Sequence, residues 1–296
     1  MSLPVWRSML FVPALNERFI AGAPRRGADC IQVDLEDSIP LDRKDEARGR
    51  VAAVAADLAG HGLDVVVRIN RPWRMAVRDL EAAVGEHVCA INLPKVPNAA
   101  HVRAIAELLD ELELERSLAR GHTRLVVMIE TAEGLLDMTE IARASPRIVA
   151  MTVGAEDLAL SMGMAVSEDT LYVPNVQAVA AARAAGILPI GYVGTVAGYA
   201  DAEAFRRTAE RARALGFAGG FCIHPDQVPI LNAAFSPGAG EVADAEALIA
   251  AYAEASAAGR GAFAWRGAMV DQPVVDRARL LLQRHAAVQE RQTRKT

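Results

Sequence analysis

Short apolar runs alternate with longer segments of helical spacing along most of this chain. The apolar run at 125–129 is unbroken and too short for a helix, so it predicts a strand buried on both faces of a parallel sheet. Comparable runs predict seven further strands, at 7–12, 30–35, 64–70, 88–93, 148–153, 187–193 and 219–223. Apolar residues spaced three or four positions apart predict helices at 43–59 and 98–118. Further helices are predicted at 16–26, a polar and basic segment interrupted at Pro24, and at 77–84, 135–144, 174–185 and 202–215.

Eight strands alternating with helices predict an α/β fold, a (β/α)₈ TIM barrel, over residues 1–238. A doubly wound open sheet is the alternative, and the even spacing of the units favours a barrel. The sequence FSPG at 235–238 marks the predicted boundary. Helices predicted at 242–256 and 274–288 form a C-terminal extension over 239–296, which we expect to pack on the barrel or on a neighbouring subunit.

Composition restricts the classes of function. Hydrophobic residues make up 52% of the 296 residues, enough for a sizeable core, and the net charge of −5 argues against nucleic-acid or membrane-surface partners. We expect a cytoplasmic protein, because no apolar run is long enough to cross a membrane and residues 1–10 do not resemble a signal peptide. Cys30, Cys89 and Cys222 are far apart and follow no CxxC pattern, so they predict buried strand residues rather than disulfides or zinc ligands.

Polar residues follow several predicted strands at the point where each strand ends. They are Glu36, Asp37, Arg68, Glu130 and Asp157. The carboxyl ends of parallel strands meet at one mouth of a barrel, and two carboxylates there repel each other unless a cation relieves the repulsion. Because no His or Cys has suitable spacing, oxygen ligands point to Mg²⁺ or Mn²⁺. The guanidinium of Arg68 would supply a planar fork for a carboxylate or a developing oxyanion.

Some of these charged residues could instead have a purely structural role or lie on the surface. Glu36 or Asp37 could form an ion pair with Arg7 or Arg48 that serves only the fold. Arg68 could be a surface residue, although an arginine placed directly after three valines favours a ligand role.

Eight motifs occur in order across nearly the whole chain: RSMLFVP, GADCIQVDLEDS, VVRIN, LPKV, IETAEG, GAEDL, LGFAGGFCIHPDQ and MVDQP. Together they resemble the HpcH/HpaI aldolase/citrate lyase family, in particular its CitE-like and malyl- or citramalyl-CoA lyase branch. The resemblance implies a TIM barrel with a C-terminal extension, assembled as a homotrimer or homohexamer.

The resemblance also implies roles for individual residues. Mg²⁺, or Mn²⁺, would be held by Glu130 and Asp157. Asp271, in the MVDQP motif, would be the acid/base that a neighbouring subunit donates. The other implied roles are a substrate contact by Arg68, support of the site by Glu36, binding of the substrate carboxylate by the backbone at Gly154 and Ala155, and CoA contacts by Phe11, Arg18 and Lys44.

The function expected from this resemblance is a Mg²⁺-dependent carbon–carbon lyase. It would cleave or form a 3-hydroxyacyl-CoA, such as malyl-CoA or citramalyl-CoA, with acetyl-CoA and a 2-keto acid as the other reactants. A citryl-thioester lyase similar to the citrate lyase beta subunit, a hydroxyacyl-CoA thioesterase, and a non-catalytic metal- or ligand-binding barrel remain alternatives. Gly194 and Gly219-Gly220 depart from the residues common in the family, which leaves the acyl group open.

Overall fold

The structure of the chain is a computed structural model that describes residues 3–195 and 201–294, without the side chain of residue 294. It divides into two compact units, Met1–Phe235 and Ser236–Thr296. The sequence placed the boundary at residue 238, and the assignment of the second part as an extension over a barrel or subunit stays a prediction.

The first unit contains a sheet of eight parallel strands. The strands are β1 (Ser8–Pro13), β2 (Cys30–Asp34), β3 (Asp64–Arg68), β4 (Ala90–Leu93), β5 (Arg124–Ile129), β6 (Ile148–Val153), β7 (Leu188–Pro189) and β8 (Gly220–Cys222). Their spatial order is β7-β6-β5-β4-β3-β2-β1-β8, so neighbours in the chain are neighbours in the sheet and β8 returns to β1. The predicted α/β fold with eight parallel strands is confirmed.

The two ends of this sheet meet through an isolated bridge rather than a full ladder. Ile190 and Gly219 form a parallel bridge, with backbone hydrogen bonds from Gly191 N to Gly219 O (2.9 Å) and from Ala218 N to Pro189 O (2.8 Å). The strand predicted over 187–193 is therefore too long, because β7 covers only two residues. A Cβ at Gly219 would collide with the backbone of Trp6 and Arg7, which directly precede β1, so the close approach at this seam requires glycine.

Helices connect the strands. In the first unit they are α1 (Glu17–Gly22), α2 (Lys44–Gly60), α3 (Trp73–Ala83), α4 (Ala99–Glu115), α5 (Ala132–Leu136), α6 (Met138–Ala142), α7 (Ala155–Met162), α8 (Glu168–Ala185), α9 (Ala202–Leu215) and α10 (Gln227–Ala234). Short 3₁₀ helices cover Ala23–Arg26 and Leu41–Arg43. Within the described residues, no helix has the length and apolar content needed to cross a membrane.

Several helix predictions are wrong in their bounds. The helix predicted over 135–144 is two short helices, α5 and α6, and α7 and α10 were not predicted. The start predicted at Pro174 is six residues late. Pro174 instead lies inside α8, which begins with a capping box formed by Ser167 and Thr170.

The core has two layers around the sheet. A small buried cluster takes a residue from every strand: Met9, Cys30, Val66, Ala90, Val126, Ala150, Leu188 and Phe221. A larger cluster joins the opposite face of the strands to the helices. Cys30 and Cys222 are buried, as predicted, and Cys89 is half-buried.

The second unit combines helices α11 (Ala239–Ala257) and α12 (Gln272–Arg294) with a hairpin of β9 (Phe263–Trp265) and β10 (Ala268–Val270). The hairpin was not predicted. Its turn residues Arg266 and Gly267 both have positive φ, +47° and +81°, the conformation that short hairpin turns favour. Val270 and Val275 are fully buried against α11, so this unit has a small core of its own.

Candidate active site

A cavity of about 520 Å³ lies at the carboxyl ends of the strands. Seven of the residues that the sequence assigned to the site line it: Phe11, Asp37, Arg68, Glu130, Gly154, Ala155 and Asp157. Gly194, one of the departures from the family pattern, also lines this cavity. The topology thus brings together residues as far apart in the sequence as Phe11 and Gly194, which are separated by 183 positions.

Arg68, the last residue of β3, is buried and held by an acid of the neighbouring strand. Its Nε donates to Asp34 Oδ1 (2.7 Å) and its Nη2 to Asp34 Oδ2 (2.9 Å), a bidentate pair between two adjacent strand ends. Although burial opposes ionisation, these contacts to Arg68 hold the pKa of the Asp34 carboxyl below its usual range. The alternative of a surface arginine is wrong.

One edge of the Arg68 fork is therefore used inside the protein. Its Nη1 lies 2.7 Å from Glu36 Oε2, an ion pair without good hydrogen-bond angles, and 3.3 Å from Asp37 Oδ2. The guanidinium also lies 5.0 Å from the ring centre of Phe11, which packs against Phe221. A substrate contact by Arg68 stays a prediction, and it would be made from a guanidinium that these contacts already orient.

Glu36 is buried and faces two cations. Its Oε1 accepts a hydrogen bond from Lys95 Nζ (2.8 Å), and Oε2 pairs with Arg68. Burial raises the pKa of Glu36, and the two cations oppose that rise. The structural pairing proposed with Arg7 or Arg48 is wrong, because those arginines pair with other aspartates.

Glu130 directly follows β5 and is almost completely buried. Its Oε2 accepts a hydrogen bond from the backbone N–H of Lys95 (2.7 Å), and its carboxyl packs against the backbone of Gly154. Burial raises the pKa of Glu130 to about 7, with repulsion from Glu36 and Asp157 adding to the rise and Lys95 opposing it. Glu130 is therefore not a solvent-exposed loop residue.

The position of Asp157 after β6 suggested that it ends a strand, and this is wrong. It lies in the first turn of α7, two residues beyond the start of that helix, and its side chain is 31% exposed. A carboxylate is favourable at a helix N-terminus, and Asp157 Oδ2 also lies 3.1 Å from Lys95 Nζ.

The three residues predicted to contact CoA are not brought to one place. Phe11 lines the main cavity, whereas Arg18 is exposed on α1 and lines none of the cavities described here. Lys44 is buried, and its Nζ donates to the backbone carbonyls of Leu35 (2.7 Å) and Glu36 (2.6 Å). The ammonium of Lys44 thus fixes the chain that follows β2, and its role with CoA stays a prediction.

Asp271 lies in the second unit, directly before α12. Its carbonyl accepts hydrogen bonds from Val274 N (3.1 Å) and Val275 N (3.2 Å), which satisfies the start of that helix. Its catalytic role stays a prediction.

Sequence reasoning missed two residues of the site, Asp34 and Lys95. Asp34 reads as the last residue of an apolar strand, and only the register of β2 with β3 places it opposite Arg68. Lys95 follows a Leu-Pro pair and reads as a turn residue. Its positive φ of +49° is unusual for a residue with a side chain. This turn brings Lys95 into contact with Glu36, Glu130 and Asp157.

The donor set at the cavity fits a hard divalent cation. Glu130 and Asp157 offer carboxylate oxygens, and repulsion by Asp157 contributes to the raised pKa of Glu130. Mg²⁺ commonly takes only one or two protein carboxylates and fills its other positions with water and substrate. Among the described residues, no group of three or more His, Cys, Asp or Glu side chains forms a more complete metal site.

Comparisons with known proteins agree with this geometry. The profile of the HpcH/HpaI aldolase/citrate lyase family matches residues 7–225. The chain is 36% identical to the citrate lyase subunit beta of Leuconostoc mesenteroides subsp. cremoris, over 93% of this chain and 92% of that protein. It is also 36% identical to the L-malyl-CoA/beta-methylmalyl-CoA lyase of Cereibacter sphaeroides, over 91% of this chain and 90% of that protein.

Among solved structures, the chain is similar to protein CitE from Mycobacterium tuberculosis in complex with magnesium, acetoacetate and coenzyme A. The TM-score is 0.75 at 31% identity, covering 96% of this chain and 99% of CitE. These matches confirm that the chain is a carbon–carbon lyase, as its sequence motifs predicted. The chain belongs to the HpcH/HpaI aldolase/citrate lyase family.

Proposed function

We propose that this protein is a Mg²⁺-dependent carbon–carbon lyase acting on a 3-hydroxyacyl-CoA thioester such as malyl-CoA or citramalyl-CoA. The observation that carries the proposal is the pair of carboxylates, Glu130 and Asp157, in the same cavity as a buried and oriented Arg68. The magnesium, acetoacetate and coenzyme A of the similar CitE structure support it. We also infer a (β/α)₈ barrel closed at the Ile190–Gly219 bridge, and a homotrimer or homohexamer.

In this proposal Glu130 and Asp157 hold the metal. A bound Mg²⁺ would polarise the hydroxyl and carboxylate oxygens of the substrate and favour loss of the hydroxyl proton. Arg68 binds the substrate carboxylate or the developing keto oxygen, with its orientation fixed by Asp34. The backbone at Gly154 and Ala155, at the start of α7, faces the same cavity and orients the carboxylate end.

We propose the following bond changes, with Asp271 supplied by a neighbouring subunit. The hydroxyl proton passes to a water molecule as the keto C=O forms and the adjacent carbon–carbon bond breaks. Its electron pair goes to the thioester fragment as an enolate, and Asp271 protonates that carbon to give acetyl-CoA. The reverse sequence, with Asp271 removing the proton, condenses the two products.

A second candidate is a lyase subunit that acts on a citryl thioester within a larger citrate lyase-like complex. The equal identity of 36% to a citrate lyase beta subunit and to a malyl-CoA lyase favours keeping it. Both candidates use the same carboxylates, so they differ in the acyl group and the carrier.

The test is a screen of malyl-, citramalyl- and citryl-thioesters with Mg²⁺, in which keto acid and free CoA are measured separately. Keto acid released with acetyl-CoA supports the lyase, and free CoA without keto acid indicates a thioesterase. Turnover only of the citryl thioester favours the second candidate. No turnover of any thioester, by a protein shown to be folded, would leave a non-catalytic barrel and contradict the proposal.

A further inference from the structure

Lys95 contacts three buried or half-buried acids, the two proposed metal ligands Glu130 and Asp157 and the neighbouring Glu36. Its Nζ lies 2.8 Å from Glu36 Oε1 and 3.1 Å from Asp157 Oδ2, and its backbone N–H binds Glu130 Oε2 at 2.7 Å. The side chain is 27% exposed and lines an adjoining cavity of about 630 Å³. Lys95 therefore lines this second cavity while its ammonium contacts Asp157, which lines the main cavity.

The backbone at Lys95 is held in a conformation that few side-chain-bearing residues adopt. Its φ of +49° persists although the left-handed region costs free energy for residues other than glycine. The contact with Glu130 uses the backbone, so a substitution of the side chain leaves that contact available. The contacts with Glu36 and Asp157 use the ammonium and are lost with it. The two functions of Lys95 are thus separable by mutation.

We propose that the Lys95 ammonium is a resident countercation that competes with the divalent metal for Asp157. Resting on the proposed function, this inference concerns how tightly the same site holds its metal. A positive charge this close to one of the two metal-binding carboxylates repels a divalent cation. It also shares Asp157 with that cation, so part of the attraction of the acids is already used when the metal arrives.

Loss of the Lys95 charge should change the metal affinity in the direction opposite to that usual at a metal site. Removing a side chain that contacts a metal site commonly weakens metal binding, because the ligands lose their positions. Replacing Lys95 with an uncharged residue of similar length should instead strengthen it. Since the interaction of a unit charge with a divalent ion a few ångströms away is large even in a strongly screened site, we expect at least a tenfold lower Kd for Mn²⁺.

The experiment titrates the metal-free, full-length protein with Mn²⁺ and follows free Mn²⁺ by electron paramagnetic resonance. The variants are Lys95→Met and Lys95→Gln, which remove the charge, and Lys95→Arg, which keeps it. Arg143→Met is the control: Arg143 is exposed on the loop before β6, at the end of the strands opposite the cavity, and its loss changes the net charge equally. We expect tighter binding in the two uncharged variants, a Kd near wild type for Lys95→Arg, and no change for the control.

Each outcome decides one of the two ideas. If wild type binds no Mn²⁺, the proposed metal site fails. If wild type binds Mn²⁺ and the folded Lys95→Met or Lys95→Gln variant binds it equally or more weakly, the inference on Lys95 fails while the metal site stands. Circular dichroism and thermal unfolding identify any variant that does not fold, and failure of both uncharged variants to fold would assign Lys95 to stability and refute the competition.

Discussion

Gly154→Ala tests the position of Glu130 most directly, because a single added methyl group meets the carboxyl group. A Cβ at residue 154 would lie 2.5 Å from Glu130 Cγ and 2.7 Å from its Cδ. The backbone of Gly154, with φ −86° and ψ 108°, is open to alanine, so the substitution adds no backbone strain. The steric conflict with Glu130 is the perturbation.

The size of the effect follows from these distances. Restoring an ordinary carbon–carbon separation of about 3.5 Å requires a displacement of roughly 1 Å, and overpacking of this kind costs about 1–3 kcal/mol. Such a shift breaks the hydrogen bond from Lys95 N to Glu130 Oε2. Because metal ligands must lie within about 0.2 Å of their ideal distances, and a displacement of about 1 Å reduces rates around a hundredfold, we expect comparable losses in Mn²⁺ affinity and kcat/KM.

The assay combines urea unfolding with Mn²⁺ titration. The matched control is Gly49→Ala in α2, where a Cβ would meet nothing within 4 Å, and we expect it to be neutral or slightly stabilising. In a Glu130→Ala background the clash is absent, so Gly154→Ala should then cost little stability. A Gly154→Ala protein with wild-type stability and wild-type Mn²⁺ affinity would refute the packing of Glu130 against Gly154.

Three other predictions follow from the structure. Arg68→Lys should reduce kcat/KM almost as much as Arg68→Ala, because one ammonium cannot replace the planar guanidinium that binds both oxygens of Asp34. Recovery of most of the rate with lysine would argue against the proposed substrate contact by the guanidinium. His101 is 8% exposed, and burial, with a smaller effect from Arg71, lowers its pKa to about 4. Protonation therefore favours the unfolded chain, where the pKa is near 6.5. As pH falls from 6.5 to 4, protonation of His101 should lower the free energy of unfolding by about 3 kcal/mol. Urea unfolding of His101→Phe, measured against pH, should lack this decrease. Parallel stability curves for the variant and wild type would contradict the prediction. Mixing inactive Asp271→Ala and Glu130→Ala chains should restore part of the activity if neighbouring subunits share a site, and hybrids that form but stay inactive would exclude such sharing.

The strands and most helices were predictable because their signals are local. The apolar run of β6 gave both of its ends, and the helix predicted at 202–215 has the bounds of α9. β7 was overestimated because apolarity does not report pairing: Tyr192 and Val193 are buried, yet they belong to no ladder. The hairpin of the second unit was missed because its strands have three residues each, too few for alternation to appear.

The site was predictable where a residue ends a strand and not where pairing or a turn decides its position. Arg68 and Glu130 follow β-type runs and were found by that rule. Asp34 is defined by the register between β2 and β3, and Lys95 by a left-handed turn, and neither leaves a periodic signal. Asp157 was found as a residue but assigned to the wrong element, since α7 is only eight residues long.

The seam of the sheet has a consequence for how the chain is made. β1 pairs on one side with β2 and on the other with β8, whose residues Gly220–Cys222 are synthesised more than 200 positions later. At about 5–20 residues per second, one edge of β1 would wait roughly ten to forty seconds on the ribosome for its partner. An unpaired strand edge is a template for wrong partners, and the buried Met9 and Leu10 lie on this strand. The synthesis of β8 therefore decides when this edge of β1 can be covered and removed from such pairing.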